Sequence, residues 1–379
     1  MDIQELFKMA TDGALPEGFD QWQLADRNGC TVAHVAAETG LLPADFRQWK
    51  LADRNGWTVA HAAAKHGNLP QGFNQWALKN HEGWTVAHVA CAGKMPEGFD
   101  QWDLRDDRGY TVAHTAVHLG TLPEGFDQWD LRNGLGYTVA HEAAEHGILP
   151  ENFDRWGLAD KTGKTVAHVL AFLGYLPQDF DQWELADNNG STVAHTAAYY
   201  GNLPQDFDQW ELADKYGSTV AHEAAEAGLL FADRRKWKWA DKKGRTVAHN
   251  LAYSVHLPEN FDHWDLKDHG GWTVAHEAAK YGHLPESFSH WEWADHDGNT
   301  VAHVAAEYGL LPENFDHWDL KDHGGWTVAH VAAKHGHLPA DFDQWGLADM
   351  WGKTVAEVAY ENGSLPEDVA IPEVKKNKC

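Results

Sequence analysis

The chain is poor in cysteine, in positive charge and in long apolar runs. Three cysteines, Cys30, Cys91 and Cys379, stand at unrelated positions among 379 residues. No CxxC pair occurs, so neither a disulfide framework nor a thiolate zinc site is indicated, and a reducing compartment is the simpler reading. Lys and Arg number 30 against 57 Asp and Glu, for a net charge of −27. That balance argues against a general binder of nucleic acid or anionic membrane, and favours solubility and a basic or polar partner. No stretch approaches the roughly 18 apolar residues needed to span a bilayer. The start, MDIQELFKMATDGALP, has no basic segment followed by an apolar run, so no Sec signal peptide is expected and a cytoplasmic location is. No Gly-rich phosphate loop follows a strand and no nucleophile elbow is present. We therefore expect no catalytic residue, no cofactor and no metal site.

What the chain has in quantity is repetition. Thr-Val-Ala begins thirteen times, from Thr31 to Thr354. Every step is 27 residues except one of 26, between Thr85 and Thr111. A fixed period of this size indicates a solenoid or array, in which each unit buries its apolar face on its neighbours. The unit reads T-V-A-H-x-A-A-x-x-G-x-L-P-x-x-F-x-x-W-x-L-A-D-x-x-G-x. Thr is a good helix N-cap, and the Gly nine residues later suits a left-handed C-cap. Small residues between them let helices pack closely. Leu-Pro then opens a second segment, with Pro suited to the first position of a helix. Phe and Trp, spaced i, i+3, with Leu beyond, form its buried stripe. Asp-x-x-Gly makes a tight turn into the next Thr. The unit is thus expected to be helix–turn–helix–turn.

The run D-x-x-G-x-T-V-A-H-x-A-A-x-x-G resembles the ankyrin repeat, which carries D-x-x-G-x-T-P-L-H-x-A-A-x-x-G. Two departures stand out. Val-Ala replaces Pro-Leu, and the period is 27 where the ankyrin repeat has 33. The recurrent L-P-x-x-F-x-x-W has no counterpart in that pattern. The expected fold is therefore an all-α, ankyrin-like solenoid of helix–turn–helix repeats with reduced or absent β-hairpins. We expect a capping repeat over residues 1–30, twelve repeats over 31–353 with an irregular unit at 231–257, and a C-terminal cap with a basic, fraying tail over 354–379.

The candidate chemistry reads as architecture. Twelve of the 26 histidines fill the slot after Thr-Val-Ala, from His34 to His330, and the thirteenth copy has Glu357 there. T-x-x-E is a capping box, which assigns the slot a local hydrogen-bonding role. Equivalent histidines about 10 Å apart cannot share a metal whose bonds are about 2 Å. HEAAEH at 141–146 is close to the zinc-protease signature, but its second His falls at i+5, off the shared helix face. His114 and His118 are spaced i, i+4, but His114 belongs to the slot. The Asp-x-x-Gly turns lack the dense oxygen ligands of a calcium loop. The tryptophans from Trp22 to Trp345, one per unit, sit at helical spacing beside a Phe and read as core.

In such an array the fixed positions carry the fold and the variable ones carry binding. The ankyrin resemblance implies that partners engage the residues inside D-x-x-G, the residue after that Gly, and the exposed helix face. The residue after the Gly is aromatic in four consecutive units, Trp57, Trp84, Tyr110 and Tyr137, and again at Trp272 and Trp326. A second candidate is the basic island Arg234, Arg235, Lys236, Lys238, Lys242, Lys243 and Arg245, interleaved with Trp237 and Trp239. The irregular unit also lacks the Pro (Phe231) and the C-cap Gly (Val255). The expected function is a non-enzymatic scaffold that binds a protein partner along its inner face, as a monomer or with weak self-association. The resemblance also accommodates a bacterial effector delivered into a host cell. The alternatives are a self-assembling structural protein and an acidic nucleic-acid mimic that sequesters a basic protein.

Overall fold

The computed structural model describes residues 2–93, 95–229, 234–254, 257–258, 260–367 and 369. The Phe231 and Val255 irregularities and the tail from 370 onward lie outside them. The chain divides into two compact units. One comprises residues 1–177 with 185–188, and the other residues 178–184 with 189–379.

Both units are built the same way. Among the described residues fourteen short α-helices follow one another, from Ile3–Asp12 to Val355–Glu361, with no strand between them. After the first, each helix begins at the Val of Thr-Val-Ala. In every one of them the Thr is the extended N-cap residue. Where Gly follows the helix directly it takes the left-handed conformation, as at Gly40 (φ 74°) and Gly336 (φ 74°). Helices this short are not stable alone in water. Their Val and Ala faces are fully buried against the helices before and after.

The expected second helix is replaced by consecutive tight turns. Phe46 N–H bonds the Pro43 carbonyl at 3.0 Å, and Leu51 N–H bonds the Gln48 carbonyl at 3.1 Å. Among the described residues only Arg234–Lys238, in the irregular unit, is helical there, as one 3-10 stretch. The physical reason lies in the four unpaired N–H groups at a helix start. Val32 N–H reaches back to the Leu24 carbonyl at 2.9 Å, and Ala33 N–H to the Trp22 carbonyl at 3.2 Å. The same pair of bonds recurs from Val59 and Ala60 to Leu51 and Trp49. Carbonyls that complete the next helix are not available for a helix of their own.

The hairpin is reduced to one residue pair. An isolated antiparallel bridge joins Ala25 to Thr31, and its equivalents recur along both units up to Ala348 and Thr354. Inside it, Asp26 Oδ1 accepts N–H bonds from Asn28 at 2.8 Å and from Cys30 at 3.0 Å. Successive turn tips are linked by main-chain bonds, such as Arg54 N–H to the Asn28 carbonyl at 3.0 Å. The turn glycine is required at such contacts. At Gly56 (φ +72°) a Cβ would lie 2.8 Å from the His81 backbone nitrogen.

The Phe and Trp of the turn segment form an edge-to-face ladder. It runs from Phe19 to Trp156 in the first unit with ring centroids 5.0–5.8 Å apart. In the second it is regular from Phe261 to Trp345, at 4.8–6.0 Å. Edge-to-face pairs add about 0.5–1.5 kcal/mol each beyond the area they bury. In the irregular unit, Arg234 stands where other units have Phe. There Lys236 Nζ lies 4.9 Å from the Trp210 ring centre, and Arg234 lies 5.4 Å from that of Trp237.

Candidate functional site

The slot histidines close each repeat onto the next. His34 Nδ1 lies 2.7 Å from Thr31 Oγ1 and accepts the Thr31 N–H at 3.1 Å, while His34 Nε2 lies 2.9 Å from the Trp57 carbonyl oxygen. A carbonyl only accepts, so Nε2 carries the proton and Nδ1 is bare. The same link joins His61 to Trp84, His88 to Tyr110, His114 to Tyr137 and His141 to Lys164 in the first unit. In the second it joins His195 to Ser218 and continues to His330 and Lys353. Both ring nitrogens are occupied, and the rings are buried. Burial lowers their pKa values, to about 4 at His114 and His249. Such an imidazole has no lone pair for a metal and no proton to exchange near neutral pH.

Glu357 explains itself by the same geometry. Its carboxylate accepts the Thr354 N–H at 2.7 Å, as an imidazole Nδ1 does elsewhere.

Thr-x-x-His capping, the Asp-x-x-Gly turn and the residual hairpin bridge are now all on one repeating frame. The repeats are ankyrin-like. No family model and no curated protein matches the chain. Among solved structures, it is similar to the ankyrin repeat domain of Bcl-3, a member of the IkappaB protein family. The identity is 21% and the TM-score 0.35, over 43% of this chain and 92% of that one.

The variable positions of this ankyrin-like array are where its surface chemistry differs from repeat to repeat. Residues after the turn Gly lay their rings over the slot histidine of their own repeat. Centroid distances are 5.2 Å for Trp57, 6.3 Å for Trp84, 6.0 Å for Tyr110 and 4.6 Å for Tyr137. Trp84 is exposed (39%), and the other three are half-buried. Tyr137 also donates its hydroxyl to Glu145 at 2.5 Å. Trp326 sits on His330 at 5.7 Å, with Lys334 Nζ 6.0 Å from its ring centre.

The basic island divides between two places. Arg234 and Lys236 lie with the tryptophans of the turn segment, and Lys238 is exposed nearby. Arg235 is exposed on the same 3-10 stretch. Lys242 donates to the Lys215 carbonyl at 2.6 Å across the turn tips. Lys243 and Arg245 instead line an open groove of about 750 Å³ in the second unit. Its walls carry Trp272, Tyr216, Tyr253, Tyr281 and Lys280 as well. Glu277 organises its floor, accepting from Trp272 Nε1 at 2.9 Å and pairing with Arg245 at 3.7 Å. Tyr253 and Tyr281 meet edge to face at 4.9 Å and stay substantially exposed, at 42% and 37%. Lys280 Nζ lies 5.1 Å from the Tyr281 ring centre.

Trp272 and Arg245 are thus brought together as the residues after the turn Gly of adjacent repeats. Tyr253 and Tyr281 escaped sequence reasoning. Their signal is an aromatic seven or eight residues after the Thr, on the helix face away from the core. Nearby, burial and the neighbouring Glu226 raise the Glu223 carboxyl to about 7, while a bond from Ser218 opposes the shift. Burial likewise pushes Cys30 up to about 11 and Cys91 up to about 12, so neither is a thiolate near pH 7.

Proposed function

We propose that this chain is a non-enzymatic, ankyrin-like scaffold that captures a protein partner along the face of turn tips and exposed helix sides. Residues 1–30 and 354–379 serve as its caps. The groove around Trp272 supports this reading best. It gathers Trp, Tyr and Arg, the residue types that dominate interface energetics, in a depression too open to enclose a small molecule. The remaining variable aromatics, Trp57, Trp84, Tyr110 and Tyr137 in the first unit and Trp326 in the second, occupy the same register in their own repeats. Partner binding through Lys243 and Arg245 uses the groove, Lys242 stands beside them at the turn tips, and Arg234, Arg235, Lys236 and Lys238 serve a separate patch on the turn segment.

The test is affinity capture with the full chain, using wild type, Arg245→Ala/Trp272→Ala and Trp57→Ala/Trp84→Ala. A surface control, Asp45→Asn, lies on the turn segment. Loss of a partner in the groove variant, with retention in the control and unchanged circular dichroism, supports the proposal. Equal recovery by all variants overturns it. No described helix is long and apolar enough to cross a membrane, in keeping with a partner met in solution. For the host-directed reading of the same scaffold, capture from host lysate must succeed where the chain's own lysate fails. Self-assembly, with the exposed basic side chains of one copy on the acidic surface of another, requires association that weakens with salt. A monomer at both low and high salt removes that reading.

A further inference from the structure

Three possible metal ligands that no single repeat contains are brought together between two of them. His118 lies in the last turn of the helix Val112–Leu119. Glu142 and His146 lie on the next helix, Val139–Glu145, and its C-cap. The donor atoms of all three fall within 4.8 Å of one another. His146 Nε2 is 3.8 Å from Glu142 Oε1, and the imidazoles of His118 and His146 meet edge to face with centroids 5.4 Å apart. None of the three is a slot residue. Glu145, the other carboxylate close by, is already held by the Tyr137 hydroxyl. Among the described residues the only ion-pair partner of Glu142 is His146.

Two imidazoles and one carboxylate form the donor set of open, three-ligand zinc sites. We propose that His118, Glu142 and His146 bind one divalent late-transition ion, Zn²⁺ by ligand type. Bonds of about 2.0–2.1 Å put tetrahedral ligand atoms about 3.4 Å apart, so the trio closes on an ion by side-chain rotations of about 1 Å. His118 and His146 are exposed and Glu142 is half-buried, which gives the ion an entry path and leaves its fourth position to water or to an incoming ligand. The equivalent positions of the second unit, at Tyr253, Glu277 and Tyr281, line the Trp272 groove. The ion therefore occupies the variable face, where it clips adjacent helices together and offers a coordination position to a partner side chain.

The test is calorimetric titration of the full chain with Zn²⁺ after thiol alkylation. Wild type is compared with His118→Ala, Glu142→Gln, His146→Ala and His66→Ala. His66 follows its own Thr at the position His146 holds, but Ala62 replaces the carboxylate. All four substituted side chains lie at the surface or half-buried, and circular dichroism and the thermal midpoint without metal check the fold. The proposal expects one equivalent in wild type and His66→Ala. Each ligand variant should weaken binding by about tenfold or more. Zn²⁺ should raise the thermal midpoint of wild type only where the trio is intact, because the folded form alone assembles the site. Absence of binding, or equal binding in wild type and all three ligand variants, overturns it. So does an equal loss in His66→Ala, which would mark scattered surface histidines as the binders.

Discussion

Mild acid should loosen this protein through its slot histidines. Ten of them have pKa values lowered chiefly by burial. In the folded chain the ring is neutral, with Nε2–H on the next repeat's carbonyl and Nδ1 receiving the Thr groups. In the unfolded chain the same ring takes a proton below its ordinary value of 6.5. The unfolded state therefore binds more protons between that value and the folded one. Stability is complete above 6.5 and is lost as pH falls toward about 4. For His114 and His249, the linkage integral between about pH 7.5 and pH 5 is about 2 kcal/mol each. Two such groups remove about 4 kcal/mol, against a usual total of about 5–15 kcal/mol. Glu223 and Glu142, whose carboxyls burial raises, act in the opposite sense, but they are two groups against ten. The assay is urea unfolding followed by tryptophan fluorescence at about pH 7.5 and about pH 5, stopping above the range where ordinary carboxylates titrate. A large fall in the midpoint is expected. An unchanged or raised midpoint at the lower pH would refute the assignment of neutral, buried imidazoles.

Three further outcomes follow from the packing. Trp49, wedged edge to face between Phe46 and Phe73, should cost about 3–5 kcal/mol as Trp49→Ala, seen as a lowered thermal midpoint. Gly56→Ala should destabilise about twice as much as Gly72→Ala or more. Both glycines have positive φ, costing about 1–2 kcal/mol, but only Gly56 would press a Cβ on backbone, and paired urea titrations separate them. Glu223→Gln should stabilise the chain by about 1–3 kcal/mol at about pH 8. Its carboxyl is raised from 4.5 to about 7, so above that pH the folded chain carries a buried charge that the unfolded chain carries at less cost. The gain should vanish near pH 4, where the carboxyl is protonated in the folded chain, and stability curves at the two pH values check it.

The legible part of this fold is the part written in local signals. Thr31, His34 and Gly40 lie within ten residues of one another, and each acts on atoms of its own helix. The turn segment was less legible. Pro43, Phe46 and Trp49 fit a helix by spacing, and three-residue spacing serves consecutive turns equally well. The deciding fact is which helix takes up the Trp22 and Leu24 carbonyls, and periodicity does not carry it. The groove shows the same division. Trp272 and Arg245 could be named because their place after the turn Gly is fixed by the repeat. The exposure of Tyr253 and Tyr281 depends on how neighbouring helices stack. His118 and His146 stand 28 residues apart, so spacing within one helix shows only the unsuited HEAAEH and the slot pair His114 and His118.

The account stands on the recurring imidazoles being neutral links, with binding left to the variable side chains. Histidine-selective ¹⁵N NMR of the full chain, recorded from about pH 8 to about pH 5, tests this most directly. The slot histidines should appear as Nε2–H tautomers that stay neutral throughout, because burial lowers their pKa values. Slot rings that protonate near pH 6.5, or that carry the proton on Nδ1, would contradict it.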